Sequence, residues 1–77
     1  MSRPAKHSLT LRGHRTSVSL EPEFWAALRA MARAEGLALN ELAARIDARR
    51  GARGLASALR VAVLADAQAR AAAQTDR

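Results

Sequence analysis

The segment RTSVSL, residues 15–20, alternates polar and apolar side chains and runs without a linker into the helical pattern EPEFWAALRAMARAEG. Strict alternation is typical of a half-buried strand. A lone six-residue strand leaves a row of unpaired backbone groups and buries little surface. It therefore needs a partner strand, most simply the same segment of a second copy, which predicts an obligate dimer. Its two faces differ: Arg15, Ser17 and Ser19 are polar, whereas Thr16, Val18 and Leu20 face a core.

Length and composition restrict the class of protein. A chain of 77 residues without cysteine is expected to form one domain that has no disulfide scaffold and no thiolate metal site. No segment approaches the roughly 18 apolar residues of a membrane span, and the N-terminus lacks an apolar signal core, so we expect a cytoplasmic protein. Small domains of this kind usually gain stability by oligomerising.

The positive charge is concentrated near the N-terminus. The net charge is +6, and residues 1–20 contain Arg3, Lys6, Arg12 and Arg15 but no acidic residue. In a dimer this charge would double, and such a surface favours a polyanion because it neutralises phosphates and releases their counterions. A GC-rich genome that uses arginine for lysine is the alternative explanation of the overall charge.

Residues 8–20 predict a β-hairpin, because the apolar positions change from odd to even numbers across Gly13 and His14. A two-residue type II′ turn with Gly13 at its first central position accounts for the change. A bulge at Gly13 within one long strand is the alternative. The register expected from the hairpin pairs Arg12 with Arg15, Leu11 with Thr16 and Leu9 with Val18.

The hairpin would have one polar face that combines hydroxyl groups with arginines. Such donors and acceptors suit phosphates and base edges. An ordinary solvated sheet face is an equal alternative, since serine and threonine are common there. The residues of this face are Ser8, Thr10, Arg12, Arg15, Ser17 and Ser19.

Three helices are expected after the strands. The first begins at Pro22 and ends at Gly36 as a left-handed cap, the second covers residues 38–50, and the third covers residues 55–73. Asn40 lies in the first turn of the second helix, where it would either bind an anion or cap the helix. The apolar stripes predict a dimer core of Val18, Leu20, Trp25, Leu28, Met31, Leu42 and Ile46.

The order of a strand, a helix with Glu21 and Pro22, a turn at Gly36 and a second helix with Asn40 resembles the ribbon-helix-helix family, the Arc and MetJ type of repressor. The runs KHSLTLRGHRTSVSLEPEFW and NELAARID resemble an uncharacterised bacterial subgroup. The resemblance implies a mainly α fold with a short β-ribbon, here with a third helix. It also implies an intertwined homodimer that inserts the ribbon into the major groove of double-stranded DNA.

The resemblance also implies which residues contact DNA. The groove positions of the family match Arg15, Ser17 and Ser19, and the phosphate-binding N-terminus of its second helix matches Leu39, Asn40 and Glu41. We add Arg12 to the first group because it lies on the polar strand face, and Lys6 to the second because it belongs to the basic N-terminal segment. The serines, the additional first strand and the third helix depart from the family pattern. The expected organisation is a flexible basic arm (1–7), the domain (8–66) and a fraying helical tail (67–77).

An enzyme is not expected. His7 lies beside Ser8, and His14 lies near two serines, but no carboxylate is placed to orient either imidazole, and no cofactor or metal site is indicated. Two alternatives to the ribbon remain. Residues 38–50 could be the recognition helix of a helix-turn-helix DNA-binding protein. The dimer could instead be a protein-interaction module, such as an antitoxin or adaptor, that binds a protein partner through residues 55–77.

Overall fold

A computed structural model describes residues 3–75 and contains two strands followed by three helices. The elements are β1 (Ala5–Leu11), β2 (His14–Leu20), α1 (Pro22–Ala34), α2 (Leu39–Ala48) and α3 (Leu55–Thr75). This order confirms the expected mainly α fold with a short antiparallel ribbon and a third helix. No helix in the described part of the chain is long and apolar enough to cross a membrane.

The hairpin is present, but the expected register and turn type are wrong. The pairs are Leu11 with His14 and Leu9 with Thr16, so Arg12 and Gly13 are the central turn residues. Both have positive φ, 52° and 81°, which is the pattern of a type I′ turn. The observed pairing differs from the expected one by two residues. Since side chains alternate with period two, this shift leaves the residues of both strands on their predicted faces, whereas Arg12, expected on the polar face opposite Arg15, lies in the turn.

The partner of β2 is β1 of the same chain, which corrects the argument that β2 needs a second copy to become paired. The first strand begins at Ala5, so residues 5–7 of the expected basic arm belong to the sheet. The Trp25 indole Nε1–H donates to the Ala5 carbonyl at 2.8 Å, which fixes the start of β1 on α1. Residues 1–2 of that arm lie outside the described residues.

Helix α1 ends as its sequence predicts. Gly36 has a φ of 69° and donates to the Arg33 carbonyl, and the Leu37 amide donates to the Ala32 carbonyl at 2.8 Å. This pair of bonds is a Schellman motif, and the partly buried Leu37 makes the apolar contact that accompanies it. The chain therefore reverses sharply and brings α2 back against α1.

The core lies between one face of the hairpin and all three helices, within a single chain. Of the residues expected in a dimer core, Met31 and Ile46 are only partly buried, whereas five are buried without a second copy: Val18, Leu20, Trp25, Leu28 and Leu42. Leu9 and Leu59 complete the centre, at 2% and 0% exposure. Helix α3 thus covers the core of its own chain. It continues to Thr75, through most of the expected tail, and residues 76–77 lie outside the described residues.

Candidate nucleic-acid interface

The sheet presents one continuous polar face to solvent. Cross-strand pairs join Lys6 to Ser19, Ser8 to Ser17 and Thr10 to Arg15, and all six residues are exposed. The opposite face carries Leu9, Leu11, Val18 and Leu20, which are buried in the core. Burial of one face packs the hairpin against the helices, so the backbone beneath the polar face is held in a fixed position. The sequence placed Ser8, Thr10, Arg15, Ser17 and Ser19 on this face, and the structure brings them together with Lys6.

The cations of this face have no acidic partner within residues 3–75. Neither Lys6, Arg12 nor Arg15 makes an ion pair there, whereas the observed ion pairs all involve helical or helix-flanking residues. Two of those pairs, Asp47–Arg50 and Asp66–Arg70, have contacts of 2.6 Å. The positive charge of the sheet is therefore available to an external anion.

Arg12 occupies the tip of the hairpin at an energetic cost. Its φ of 52° lies in the left-handed region, where a non-glycine residue costs roughly 1–2 kcal/mol and where type I′ turns favour asparagine, aspartate or glycine. Its side chain is exposed and unpaired in the described chain. A strained residue that forms no ion pair within the described chain is typical of a position used for binding.

The two edges of the sheet differ. In a two-residue hairpin the residues that flank the turn exchange hydrogen bonds, so the amides of Lys6, Ser8 and Thr10 point away from β2. The Thr10 amide donates to Asn40 Oδ1 at 3.2 Å, which places the N-terminus of α2 against the β1 edge. At the other edge the outward amides belong to Arg15, Ser17 and Ser19, and no third strand pairs with them in residues 3–75.

The expected phosphate-binding residues of α2 have local roles. Asn40 binds the β1 edge through Oδ1 and does not cap its own helix. Glu41 Oε1 accepts a hydrogen bond from the Ala38 amide at 3.1 Å, and Leu39 is partly buried. The first backbone amides of α2 have no intrahelical acceptor, but the Glu41 carboxylate beside them opposes an anion. Lys6 lies four residues from Thr10, about 13 Å along β1, so it does not join this group.

Besides the Asn40–Thr10 bond, two further structural contacts were not predicted from the sequence. Glu21, directly after β2, accepts hydrogen bonds from Arg60 of α3 at 3.1 and 3.2 Å, and Arg60 also lies 5.7 Å from the Phe24 ring centre. Hydrogen bonding to its own backbone, followed by the Arg60 contact, lowers the pKa of Glu21. The Trp25–Ala5 bond is the other contact. Their partners are 39 and 20 residues apart, and no sequence pattern indicates either contact.

The histidines do not form a reactive site. His7 packs edge-on against Trp25, with ring centres 4.8 Å apart at 90°, and His14 pairs with Leu11 beside the turn. A cavity of about 490 Å³ beside the turn includes His14 among its lining residues, together with Arg12 and Arg50. Asp47 also lines it, but that carboxylate is bound to Arg50. No cluster of three or more potential metal ligands occurs among the described residues.

Comparison with known proteins gives one family. A family model described as a ribbon-helix-helix domain matches residues 4–67, which includes both strands, α1, α2 and residues 55–67 of α3. No curated protein and no solved structure matches the chain. Ribbon-helix-helix domains generally belong to DNA-binding transcription regulators or antitoxins and are typically not enzymes. The match covers most of the sequence and agrees with the observed order of strands and helices, and the chain belongs to the ribbon-helix-helix domain family.

Proposed function

We propose that this protein binds double-stranded DNA as a homodimer and regulates transcription, with the polar face of the sheet against the major groove. The observation that supports this most is the exposed sheet face, whose cations have no acidic partner in the described chain and whose reverse side is anchored in the core. Unpaired cations on a rigid surface attract a polyanion and lose little conformational freedom when they bind it.

The proposed dimer joins the two β2 strands edge to edge. The β1 edge lies against α2 through Asn40, whereas the β2 edge has no partner strand in the described chain. Antiparallel pairing of β2 with its counterpart would produce a four-stranded sheet with the two β1 strands outside. The polar faces of both hairpins would then form one surface, and the N-terminal positive charge would double.

The width of this sheet determines how it would meet DNA. Three strand spacings of about 4.8 Å separate the outer strands by about 14 Å, whereas the major groove is about 12 Å wide. The sheet cannot enter the groove completely. We therefore place the two β2 strands in the groove, where Arg15, Ser17 and Ser19 face base edges, and the β1 strands over the groove walls, where Lys6 contacts phosphates.

Two further positions complete the interface. Arg12 extends from the hairpin tip toward bases or phosphates at the end of the ribbon. The backbone amides of Leu39, Asn40 and Glu41 contribute a weaker phosphate contact, because the Glu41 carboxylate opposes it. Two short serines in the groove leave Arg15 as the main source of direct readout, so we expect modest sequence specificity.

The proposal is tested by titration of labelled duplex DNA at several salt concentrations. Arg15→Ala should cost roughly 1–3 kcal/mol per base contact and relax the preference at the contacted base pair. Lys6→Ala should weaken binding to all sequences and flatten the logarithmic salt slope by about two units, since a dimer loses two phosphate contacts. Arg29→Ala is the matched control, because Arg29 is exposed on α1, away from the sheet.

The same titration can also contradict the proposal. If the wild type fails to bind duplex DNA at low salt, or if Arg15→Ala and Lys6→Ala bind as the control does, the polar face does not contact DNA. The ribbon-helix-helix dimer would then be assigned to protein interaction.

A further inference from the structure

We propose that the groove between α2 and α3 is a docking site for an acidic amphipathic helix of a partner protein. It is lined by an apolar floor and three arginines: Ile46, Ala58, Val61, Ala62 and Ala65 form the floor, and Arg49, Arg50 and Arg53 form the rim. The site is separate from the polar sheet face and does not depend on DNA binding.

The floor of the groove includes apolar side chains that remain partly or largely exposed. Val61, at 41%, and the neighbouring Leu64, at 55%, are the large hydrophobic residues that remain exposed. Ile46 is only partly buried, although its position on α2 predicts a core residue. The groove volume is about 170 Å³, whereas small-molecule pockets usually measure about 300–1,000 Å³. Its size suits a bulky aliphatic side chain inserted from a partner helix.

The three rim arginines differ in their contacts within the chain. Arg50 has a structural role, since its Nε contacts Asp47 at 2.6 Å and its guanidinium donates to the Arg53 carbonyl at 2.8 Å. The side chains of Arg49 and Arg53 make no ion pair within residues 3–75. Both lie beyond the end of α2, where a cation favours the helix dipole, but one well-placed cation is sufficient for that. Two positive charges therefore remain beside an apolar groove.

Charge identifies the occupant. No acidic side chain lines the groove, so a partner that presents carboxylates beside an apolar ridge would satisfy Arg49 and Arg53. A second copy of this chain is a poor occupant of this groove, because its helices α1 and α3 each carry one acidic residue and two arginines, so neither presents a negative face. Nucleic acid is also a poor occupant, since it offers phosphates but no aliphatic side chain for the floor. An acidic helix with residues of one apolar stripe at i, i+3, i+4 and i+7 supplies both features.

The experiment uses the full chain and a fluorescein-labelled designed peptide of about 18 residues, five helical turns, with leucine on one stripe and glutamate elsewhere. Fluorescence anisotropy measures its dissociation constant. One control peptide carries lysine for glutamate, and a second has the same composition with the leucines distributed around the helix. We expect binding of the first peptide and loss of binding for both controls.

Protein variants locate the peptide. The double change Arg49→Glu with Arg53→Glu should weaken binding roughly ten-fold or more, since two attractions become repulsions, whereas the equally spaced pair Arg29→Glu with Arg33→Glu on α1 should have little effect. Val61→Ser should weaken binding roughly five-fold. Leu64→Ser is its matched control, because Leu64 is exposed on α3 but does not line the groove.

Three outcomes would overturn the proposal. One is equal affinity for the glutamate and lysine peptides, and another is an equal effect of each test variant and its control. The third is a loss of duplex DNA affinity by the Arg49 and Arg53 variant as large as its loss of peptide affinity, which would assign these arginines to phosphate binding. Circular dichroism of each variant verifies that the helices are retained.

Discussion

Three side chains each connect secondary-structure elements that are distant in the sequence. Glu21 lies between β2 and α1, yet its carboxylate is bound by Arg60 of α3. Asn40 in the first turn of α2 binds the backbone of β1, and Trp25 of α1 binds the start of the same strand. Each of these contacts fixes one element against another, so we expect single substitutions here to act on the packing of elements.

The first prediction concerns Glu21 and pH. Its folded-state pKa is lowered, chiefly by hydrogen bonding to its own backbone and then by Arg60, so its contribution to stability is present above the ordinary pKa of 4.5. That contribution disappears as the pH falls through the lowered value. Glu21→Gln should therefore lower the melting temperature slightly at pH 7, and the difference from wild type should shrink below about pH 4.

Thermal unfolding monitored by circular dichroism between pH 3 and pH 7 measures this difference. Glu35→Gln is the control, because Glu35 is exposed and has no ion pair in the described part of the chain. A difference between Glu21→Gln and wild type that stays constant over this pH range would contradict the prediction.

The second prediction compares two core positions. Leu28 is 1% exposed, so Leu28→Ala should lower the free energy of unfolding by roughly 2–5 kcal/mol. Ile46 is partly exposed in the groove between α2 and α3, so Ile46→Ala should cost less, about 1–2 kcal/mol. Urea unfolding gives both values. An equal cost at both positions would mean that the groove is filled in solution.

The helices and strands follow closely from local sequence, whereas their contacts do not. Pro22 and Gly36 mark the ends of α1 through backbone conformations that only certain residues favour, and the apolar stripes select the buried helix faces. The register of the hairpin was not predictable, because a shift of two residues preserves both faces. The contacts of Asn40 with Thr10 and of Glu21 with Arg60 span 30 and 39 residues, so only the assembled fold determines them.

In the candidate interface, too, some features follow from local sequence and others depend on the assembled fold. Alternation alone placed Arg15, Ser17 and Ser19 on one exposed face, as observed. The role of Asn40 could not be read from its position in the first turn of α2, because a terminal amide can cap its helix, bind an anion or reach a strand. The actual choice depends on β1, which passes within hydrogen-bonding distance.

The third prediction concerns the hairpin turn. Arg12 has a φ of 52°, and asparagine is much better suited to this position of a type I′ turn. Arg12→Asn should raise the free energy of unfolding by about 1 kcal/mol, since it relieves backbone strain. If Arg12 contacts DNA, the same variant should bind duplex less tightly. Urea unfolding and DNA titration measure the two effects.

Gly13→Val provides the contrasting change at the adjacent turn position. A Cβ at Gly13 would meet no atom within 4 Å, so any loss of stability must come from its φ of 81° and not from a clash. We expect a decrease of about 1–3 kcal/mol. Destabilisation by Arg12→Asn, or no effect of Gly13→Val, would be inconsistent with the type I′ turn.

At the scale of the whole molecule, the fourth prediction concerns the proposed dimer. Ser17→Pro removes an outward amide from the β2 edge, where the proposed dimer forms, and should convert the dimer to a monomer. The hairpin itself should be retained, because none of its own hydrogen bonds uses that amide. Ser8→Pro removes the equivalent outward amide from β1, opposite Ser17, and should leave the dimer intact. Sedimentation equilibrium measures the mass of each variant.

The wild type provides a second measurement. Its melting temperature should rise with protein concentration, whereas that of Ser17→Pro should not. A monomeric wild type, or dimeric Ser17→Pro, would show that the β2 edge is not the interface.

The unequal edges of the sheet also bear on the size of the proposed assembly. Asn40 occupies the outward amide of Thr10 at the β1 edge, so in the proposed dimer a second hairpin adds to β2. When two copies pair through the same edge, each uses the only site that the other offers, and the contact is related by a two-fold axis. Such an isologous contact closes on itself. If both edges of the sheet were equally available, head-to-tail addition could continue into a fibre, whereas the proposed pairing through β2 alone ends at two copies.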